Sequence, residues 1–319
     1  MDENLNTQDV NSDKNNVIKE STSCNEMEEL NPQIGQKKIE NKENNTTVSD
    51  CSVDKFFYTE LMVTAGPRKN FTDDANEGDF DLGEDSVGCF VKKDKTCFWL
   101  LDGTSDSPRL KDSEKKEFFS SRLLAQELGY HIQRLIWEKT LDTFNSQVVL
   151  ENAFGCIKES WQKRINELSE ADKDTLQKKV EEKTQLLVST TIILGMLAID
   201  GSLDISQIGD SVIVVNPEFV FPENKGRFFI IIKTDEKGEL TITTSSDNSF
   251  EDTRCRTERL QDVESIILAS DGVSKNTLAW LKIRKPDFRD PVFRKTISAI
   301  RQGTCDDKAL CAIQILTDD

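Results

Sequence analysis

The sequence predicts an α+β fold in which antiparallel sheets are layered with helices. Strand-like apolar runs lie on both sides of a long helical region, which is not the regular alternation of strand and helix that parallel sheets require. Asp200-Gly201 stands between two of these runs and is a strong signal for a two-residue hairpin. The 319 residues are enough for one large or two modest domains with a core.

The individual elements follow from hydrophobic periodicity. We predict strands at 58–64, 86–91, 96–101, 187–199, 203–208, 212–215, 227–233, 240–244, 266–269 and 309–316. A first long helix is predicted to begin at the N-cap Ser113 and a second at about Ser146, each with one apolar stripe. Further helices are predicted around 278–283 and 293–302. Trp99, Trp137 and Trp161 are predicted to lie in the core.

The chain divides by composition near residue 54. Residues 1–54 contain no aromatic residue and carry more acidic than basic side chains. Such a segment cannot bury enough apolar surface to offset its ordering entropy, so it is predicted to be a disordered acidic tail, either a solvated extension or a regulatory segment. Residues 55–319 are predicted to form the folded domain.

Charge and cysteine usage exclude several classes of function. The net charge of −17 argues against nucleic-acid or anionic-membrane partners, and no apolar stretch reaches membrane length. The eight cysteines form no C-x-x-C pair and there is one histidine, which makes a structural zinc site unfavourable. Free thiols without a secretory signal predict a cytoplasmic protein, which we expect to be a monomer.

Four aspartates, each at or just beyond an apolar strand-like run, are the strongest functional signal: Asp85, Asp102, Asp271 and Asp306. Strand-end carboxylates that share one space repel each other, by about 1 kcal/mol per pair in water and about 4 kcal/mol near a protein surface. A hard divalent cation with oxygen ligands would offset that repulsion. Unlike Asp200-Gly201, the pairs beginning at Asp102 and Asp271 run into polar sequence that leads to helices.

The order of the surrounding segments resembles the PPM family of metal-dependent Ser/Thr protein phosphatases, the type 2C phosphatases. The segments are Glu84-Asp85, Leu101-Asp102-Gly103, Ser189-Thr190-Thr191, Ile208-Gly209-Asp210-Ser211, Leu268-Ala269-Ser270-Asp271-Gly272-Val273 and Asp306-Asp307. The resemblance covers roughly residues 58–316. It implies a four-layer αββα sandwich, with two antiparallel sheets flanked by helices.

The resemblance also implies a site that holds two Mn²⁺ or Mg²⁺ ions and a weaker third. Asp85 would hold one metal, Asp102 would bridge the two and serve as the catalytic residue, and the Gly103 carbonyl would add a ligand. The remaining positions would be Asp271 and Asp306 on the other metal, Asp210 near the third and Glu84 acting through waters. A water that bridges two such cations supplies a nucleophile near neutral pH.

The implied activity is hydrolysis of phospho-Ser/Thr in phosphoprotein substrates. The alternative is a pseudophosphatase or regulatory scaffold that keeps the fold and acts by binding proteins. Thr104 stands where the family commonly has His, and no Arg lies just before Glu84 to hold the substrate phosphate. Arg68, further upstream, is the candidate for that role because bidentate phosphate recognition favours arginine.

Overall fold

The computed structural model describes residues 54–64, 83–104, 107–138, 143–217, 219–221, 224, 226–245, 255–273, 289–292, 295 and 307–318. Contacts divide the chain into two units, Met1–Asp50 and Cys51–Asp319, and every described residue belongs to the second.

The described residues contain fourteen strands and three helices. The strands are β1 (Lys55–Thr64), β2 (Asp85–Lys92), β3 (Lys95–Gly103), β4 (Leu110–Lys111), β5 (Glu117–Phe119), β6 (Leu186–Ala198), β7 (Leu203–Ile208), β8 (Val212–Val215), β9 (Phe219–Val220), β10 (Phe228–Thr234), β11 (Leu240–Thr244), β12 (Arg256–Leu260), β13 (Ser265–Ala269) and β14 (Lys308–Thr317). The helices are α1 (Ser121–Glu138), α2 (Ser146–Glu167) and α3 (Glu170–Lys183).

The domain is built on two antiparallel sheets. The first sheet has the order β1-β14-β13-β8-β9, and the second has the order β11-β10-β6-β3-β2, with β7 beside β6 and β12 beside β7. Strands β4 and β5 form a separate small hairpin. The predicted α+β class with two antiparallel sheets is confirmed.

Side-chain alternation along β3 shows why its sheet is buried on both faces. Phe98 and Leu100 lie in the cluster between the sheets, together with Ile266 and Cys311 of the first sheet. Cys97, Trp99 and Leu101 point the other way, into the cluster that α1 and α2 cover. Because neighbouring residues of a strand face opposite sides, a strand covered on both faces is apolar throughout.

A third apolar cluster lies on the outer face of the first sheet and contains Met62, Ile267 and Leu310. The predicted helix around 278–283, which would follow Asp271, falls outside the described residues, and of the helix predicted around 293–302 the structure describes residue 295, which is helical. Among the helices that the structure describes, none is both long enough and apolar enough to cross a bilayer.

The start of the first long helix was predicted wrongly. The chain around Ser113 leads into the β4–β5 hairpin, where the Ser113 amide and hydroxyl both donate to the Asp172 carboxylate of α3. Helix α1 begins eight residues later, and the hydroxyl of Ser120 accepts from the Leu123 amide as its cap. Ser113 has the chemistry of a cap, but a long-range carboxylate takes its donors instead.

Two further features of the helices differ from the sequence prediction. Helix α3 was not predicted because its sequence is mostly charged, and only Leu176 and Val180 are buried. Trp161 and Trp99 lie in the core as predicted, but Trp137 is 72% exposed, with its ring edge-to-face with that of Phe90. Trp137 lies beside the apolar stripe of α1, where the helix faces solvent.

Candidate functional site

The site begins where β2 starts and β3 ends. Asp85 and Asp102 are opposite each other in the β2–β3 register, and Asp85 is buried while Asp102 is partly exposed. The Gly103 amide donates to the Glu84 carbonyl at 3.2 Å, and a Cβ on Gly103 would lie only 2.8 Å from that oxygen. Only glycine therefore allows the two strand ends to approach this closely.

Residues of the first sheet approach the same point from the other side of the sandwich. The Ser270 hydroxyl, just after β13, donates to Asp85 Oδ2 at 2.8 Å and accepts from the Ala309 amide at 2.8 Å. The Asp307 carboxylate accepts from the Glu84 amide at 2.7 Å. Two consecutive residues at the start of β2, Glu84 and Asp85, are thus bound to the residues that follow β13 and precede β14.

The pKa of Asp85 is raised to about 7, mainly by burial and also by the neighbouring carboxylates of Asp307 and Asp271, while hydrogen bonds with Ser270 and Asp102 oppose the shift. The physical meaning is that the charged form lacks compensating positive charge. A cation bound among these carboxylates would supply it.

The segment Ser189-Thr190-Thr191 lies on β6, next to the end of β3. The Thr190 hydroxyl donates to the Asp102 carbonyl at 2.9 Å and so supports the backbone of that residue. Thr104, where the family commonly has His, is held in a hydroxyl network, with its Oγ1 2.7 Å from Ser189 Oγ and 2.9 Å from Ser107 Oγ.

An arginine contacts the acidic residues at Glu84. Arg109 Nη2 lies 3.3 Å from Oε1 of the buried Glu84, and the Arg109 side chain remains 36% exposed. The sequence prediction did not include this residue. The signal that could have identified it is its place in the polar loop that follows Asp102-Gly103.

Asp210 lies in the β7–β8 turn and is exposed. The turn is attached to the same region because Ser211 Oγ lies 2.8 Å from Thr191 Oγ1, and Thr191 is opposite Asp102 in the β3–β6 register. The Gln207 side chain donates to carbonyls on both sides of Asp210 and holds the turn's shape.

Two predicted site residues, Asp306 and Arg68, lie outside the described residues. Of the pair Asp306-Asp307, it is Asp307 whose contacts the structure describes. Within the described part of the chain, no three His, Cys, Asp or Glu side chains are grouped as a complete metal cage. The donor chemistry nevertheless fits hard divalent cations, because the described groups that interact with the buried Asp85 carboxyl, namely Ser270, Asp102, Asp307 and Asp271, all offer oxygen atoms.

Comparison with solved structures returns several phosphatases at low sequence identity. RsbX, whose structure contains magnesium, is 10% identical over 82% of this chain and 96% of its own, with a TM-score of 0.44. The photosystem II phosphatase PBCP is 16% identical over 82% and 99%, with a TM-score of 0.43. The phosphatase domain of SpoIIE from Bacillus subtilis is 11% identical over 84% and 95%, with a TM-score of 0.40. No curated protein sequence matches the chain.

A family model gives the decisive comparison. The model described as protein phosphatase 2C matches residues 78–311, a span that runs from before Glu84-Asp85 to within β14 and includes every motif of the acidic site. The match covers well over half of the chain. The chain therefore belongs to the protein phosphatase 2C family.

Proposed function

We propose that the protein is a metal-dependent hydrolase of phosphomonoesters that acts on phospho-Ser/Thr in phosphoproteins. One observation carries the proposal: the Asp85 carboxyl is buried near the carboxylates of Asp102, Asp271 and Asp307, and its burial and the charges of Asp307 and Asp271 raise its pKa to about 7. Energetically unfavourable arrangements with shifted pKa values of this kind are typical of functional sites.

The groups that would hold Mn²⁺ or Mg²⁺ are all oxygen donors: the side chains of Asp85, Asp102, Asp271 and Asp306 and the Gly103 carbonyl. Asp210 would serve a weaker third ion and Glu84 would act through water. Bound cations of this kind acidify water as a nucleophile and neutralise charge on the phosphoryl group.

The chain's own contribution is to position these groups. The β2–β3 register sets Asp85 against Asp102, and the Thr190 hydroxyl fixes the Asp102 backbone. We assign Arg109 the role of orienting the substrate phosphate, beside or in place of Arg68. Its guanidinium already touches Glu84 and offers further donors in a fixed plane.

A scaffold that binds proteins without hydrolysis is the second candidate. Thr104 favours it, because a threonine whose hydroxyl lies among Ser107 and Ser189 cannot replace a histidine as a proton donor near neutral pH. The two candidates differ in turnover, which makes hydrolysis the deciding measurement.

We further propose a cytoplasmic location. The described cysteines are unpaired, and Cys97 and Cys311 are buried free thiols, as suits a reducing compartment.

The experiment is hydrolysis of an aryl phosphate by the full chain, with and without Mn²⁺, by wild type and Asp102→Asn. We expect activity only with metal and a loss on the order of 100-fold or more in the variant, as for removal of a main electrostatic group. Asp200→Asn is the matched control, because Asp200 also precedes glycine but lies in the β6–β7 hairpin. Metal-independent activity, or an Asp102→Asn variant as active as wild type, would contradict the proposal.

A further inference from the structure

The start of β2 is bound to the first sheet by a pair of hydrogen bonds that the proposed chemistry does not itself use. Ser270 donates to Asp85 at 2.8 Å, and Asp307 accepts from the Glu84 amide at 2.7 Å. We call these four residues the inter-sheet clasp. Its partners are 185 and 223 residues apart in sequence, so only the packed sandwich brings them together.

Ser270 has a fixed hydrogen-bond direction. Its side chain is fully buried, and its oxygen accepts from the Ala309 amide at 2.8 Å. With that acceptance in place, the single hydroxyl proton is free to be donated to Asp85 Oδ2. The serine therefore fixes the orientation of one carboxylate oxygen of Asp85 and leaves the other directed elsewhere.

The Asp307 half of the clasp depends on Gly83. Gly83 has φ +85°, a backbone conformation that favours glycine, and a Cβ there would lie 2.5 Å from Asp307 Cγ. The Asp307 carboxylate thus fills the space beside Gly83 while it accepts from the next amide. The contact is buried, with Asp307 3% exposed and Glu84 4% exposed.

We propose that Ser270 and Asp307 are positioning residues that hold Glu84-Asp85 against β13 and β14 and thereby set the site's affinity for divalent metal. The inference rests on the proposed function. Partners that orient a metal ligand typically change metal affinity by about 10–100-fold when removed. Neither residue is required to touch the metal or the substrate.

The test is titration calorimetry of the metal-free full chain with Mn²⁺. We expect Ser270→Ala to weaken binding by about 10–100-fold. Asp307→Ala should weaken it similarly, whereas Asp307→Asn should stay within about threefold of wild type, because the amide oxygen still accepts from Glu84 N–H. Ser265→Ala, at the other end of β13, is the matched control and should bind as wild type does.

Two results would overturn the clasp: wild-type affinity in Ser270→Ala, or an Asp307→Asn variant as weak as Asp307→Ala, which would make Asp307 a metal ligand. Hydrogen exchange of the metal-free protein distinguishes failure of the clasp from failure of the proposed function. If wild type binds no Mn²⁺, the proposed function fails, but the clasp still requires faster exchange of the Ala309 amide in Ser270→Ala and of the Glu84 amide in Asp307→Ala. Unchanged exchange at both amides would overturn the clasp itself.

Discussion

At the scale of single residues, the buried carboxyl of Asp85 destabilises the metal-free protein when it ionises. Asp85 is 6% exposed and its charged form is disfavoured by burial and by the carboxylates of Asp307 and Asp271. The pKa of this carboxyl is raised from 3.8 to about 7 on folding. Below about pH 4 it is protonated in both the folded and the unfolded state and changes the stability little, whereas above about pH 7 its ionisation in the folded state costs free energy. The contribution of Asp85 to the stability of the metal-free protein therefore falls as the pH rises from about 4 to 7.

Asp85→Asn should remove that cost. One pKa unit corresponds to about 1.4 kcal/mol, so the variant should gain on the order of 4 kcal/mol over wild type at pH 8 and little at pH 4. The measurement is thermal unfolding in EDTA across this range. Asp200→Asn is the control with the opposite sign, because hydrogen bonds from the Ser202 amide and hydroxyl lower the pKa of Asp200. A gain for Asp85→Asn that does not change with pH would contradict the assigned cause.

Arg109→Ala tests the residue assigned to the substrate phosphate. Charge-assisted hydrogen bonds contribute about 1.5–3 kcal/mol, so KM for a phosphothreonine peptide should rise about tenfold or more while Mn²⁺ affinity is retained. Arg109→Lys should recover only part of the loss, since a lysine lacks the planar fork. Arg134→Ala, which removes a surface arginine paired with Glu138 on α1, should leave KM unchanged. An unchanged KM in Arg109→Ala would show that phosphate is held elsewhere.

The sequence predicted some site residues and missed others for a physical reason. Asp85, Asp102 and Asp271 could be found because each follows or precedes a strand whose apolar pattern is local. Ser270, Asp307 and Arg109 could not be assigned their contacts, since these depend on how two sheets and a loop approach each other. Asp306 and Arg68 remain predictions, as they lie outside the described residues.

At the scale of elements, the start of helix α2 is fixed by a long-range contact that its own sequence does not show. Helix α2 is attached to β7 through Asp204, whose carboxylate accepts from the Ser146 amide at 3.1 Å, from the Ser146 hydroxyl and from Arg259 Nε at 3.2 Å. The helix also has a side-chain cap at Asn145, which accepts from Val148 N–H at 3.0 Å. The carboxylate at the helix N-terminus is favourable for the helix dipole as well.

Asp204→Ala should destabilise the domain by about 2 kcal/mol, because it leaves the buried Ser146 amide and hydroxyl without this acceptor. The denaturant midpoint of the full chain measures the loss. Arg259→Ala should cost less than about 1 kcal/mol, since the Arg259 side chain is 69% exposed and its ion pair is screened by solvent. Equal losses in the two variants would show that the ion pair, rather than the helix attachment, carries the energy.

Element prediction succeeded where the pattern was local and failed where it was not. The β6–β7 hairpin at Asp200-Gly201 and strands β7, β8 and β11 follow the sequence prediction, because turn residues and apolar runs define them. The start of α1 was misplaced because Asp172 takes the donors of Ser113. Helix α3 was missed because its stripe contains only two buried residues.

At the scale of the whole molecule, the packing of the two sheets brings together acidic side chains that neither sheet supplies alone. The second sheet supplies Asp85 and Asp102, and residues that follow β13 and precede β14 supply Asp271 and Asp307. The α+β class could be predicted because the order of strand-like and helical segments excluded a parallel sheet. The face that each helix exposes to solvent could not be predicted from the sequence, as the exposed Trp137 illustrates.

The central claim is that the acidic site serves metal-dependent hydrolysis of a phosphoester. The most direct test is phosphate release from a phosphothreonine peptide by the full chain, stripped with EDTA and then titrated with Mn²⁺. We expect no release without metal, saturable activation by Mn²⁺ and loss of that activation in Asp102→Asn but not in Asp200→Asn. Release that does not depend on Mn²⁺, or no release at any Mn²⁺ concentration that saturates binding, would contradict it.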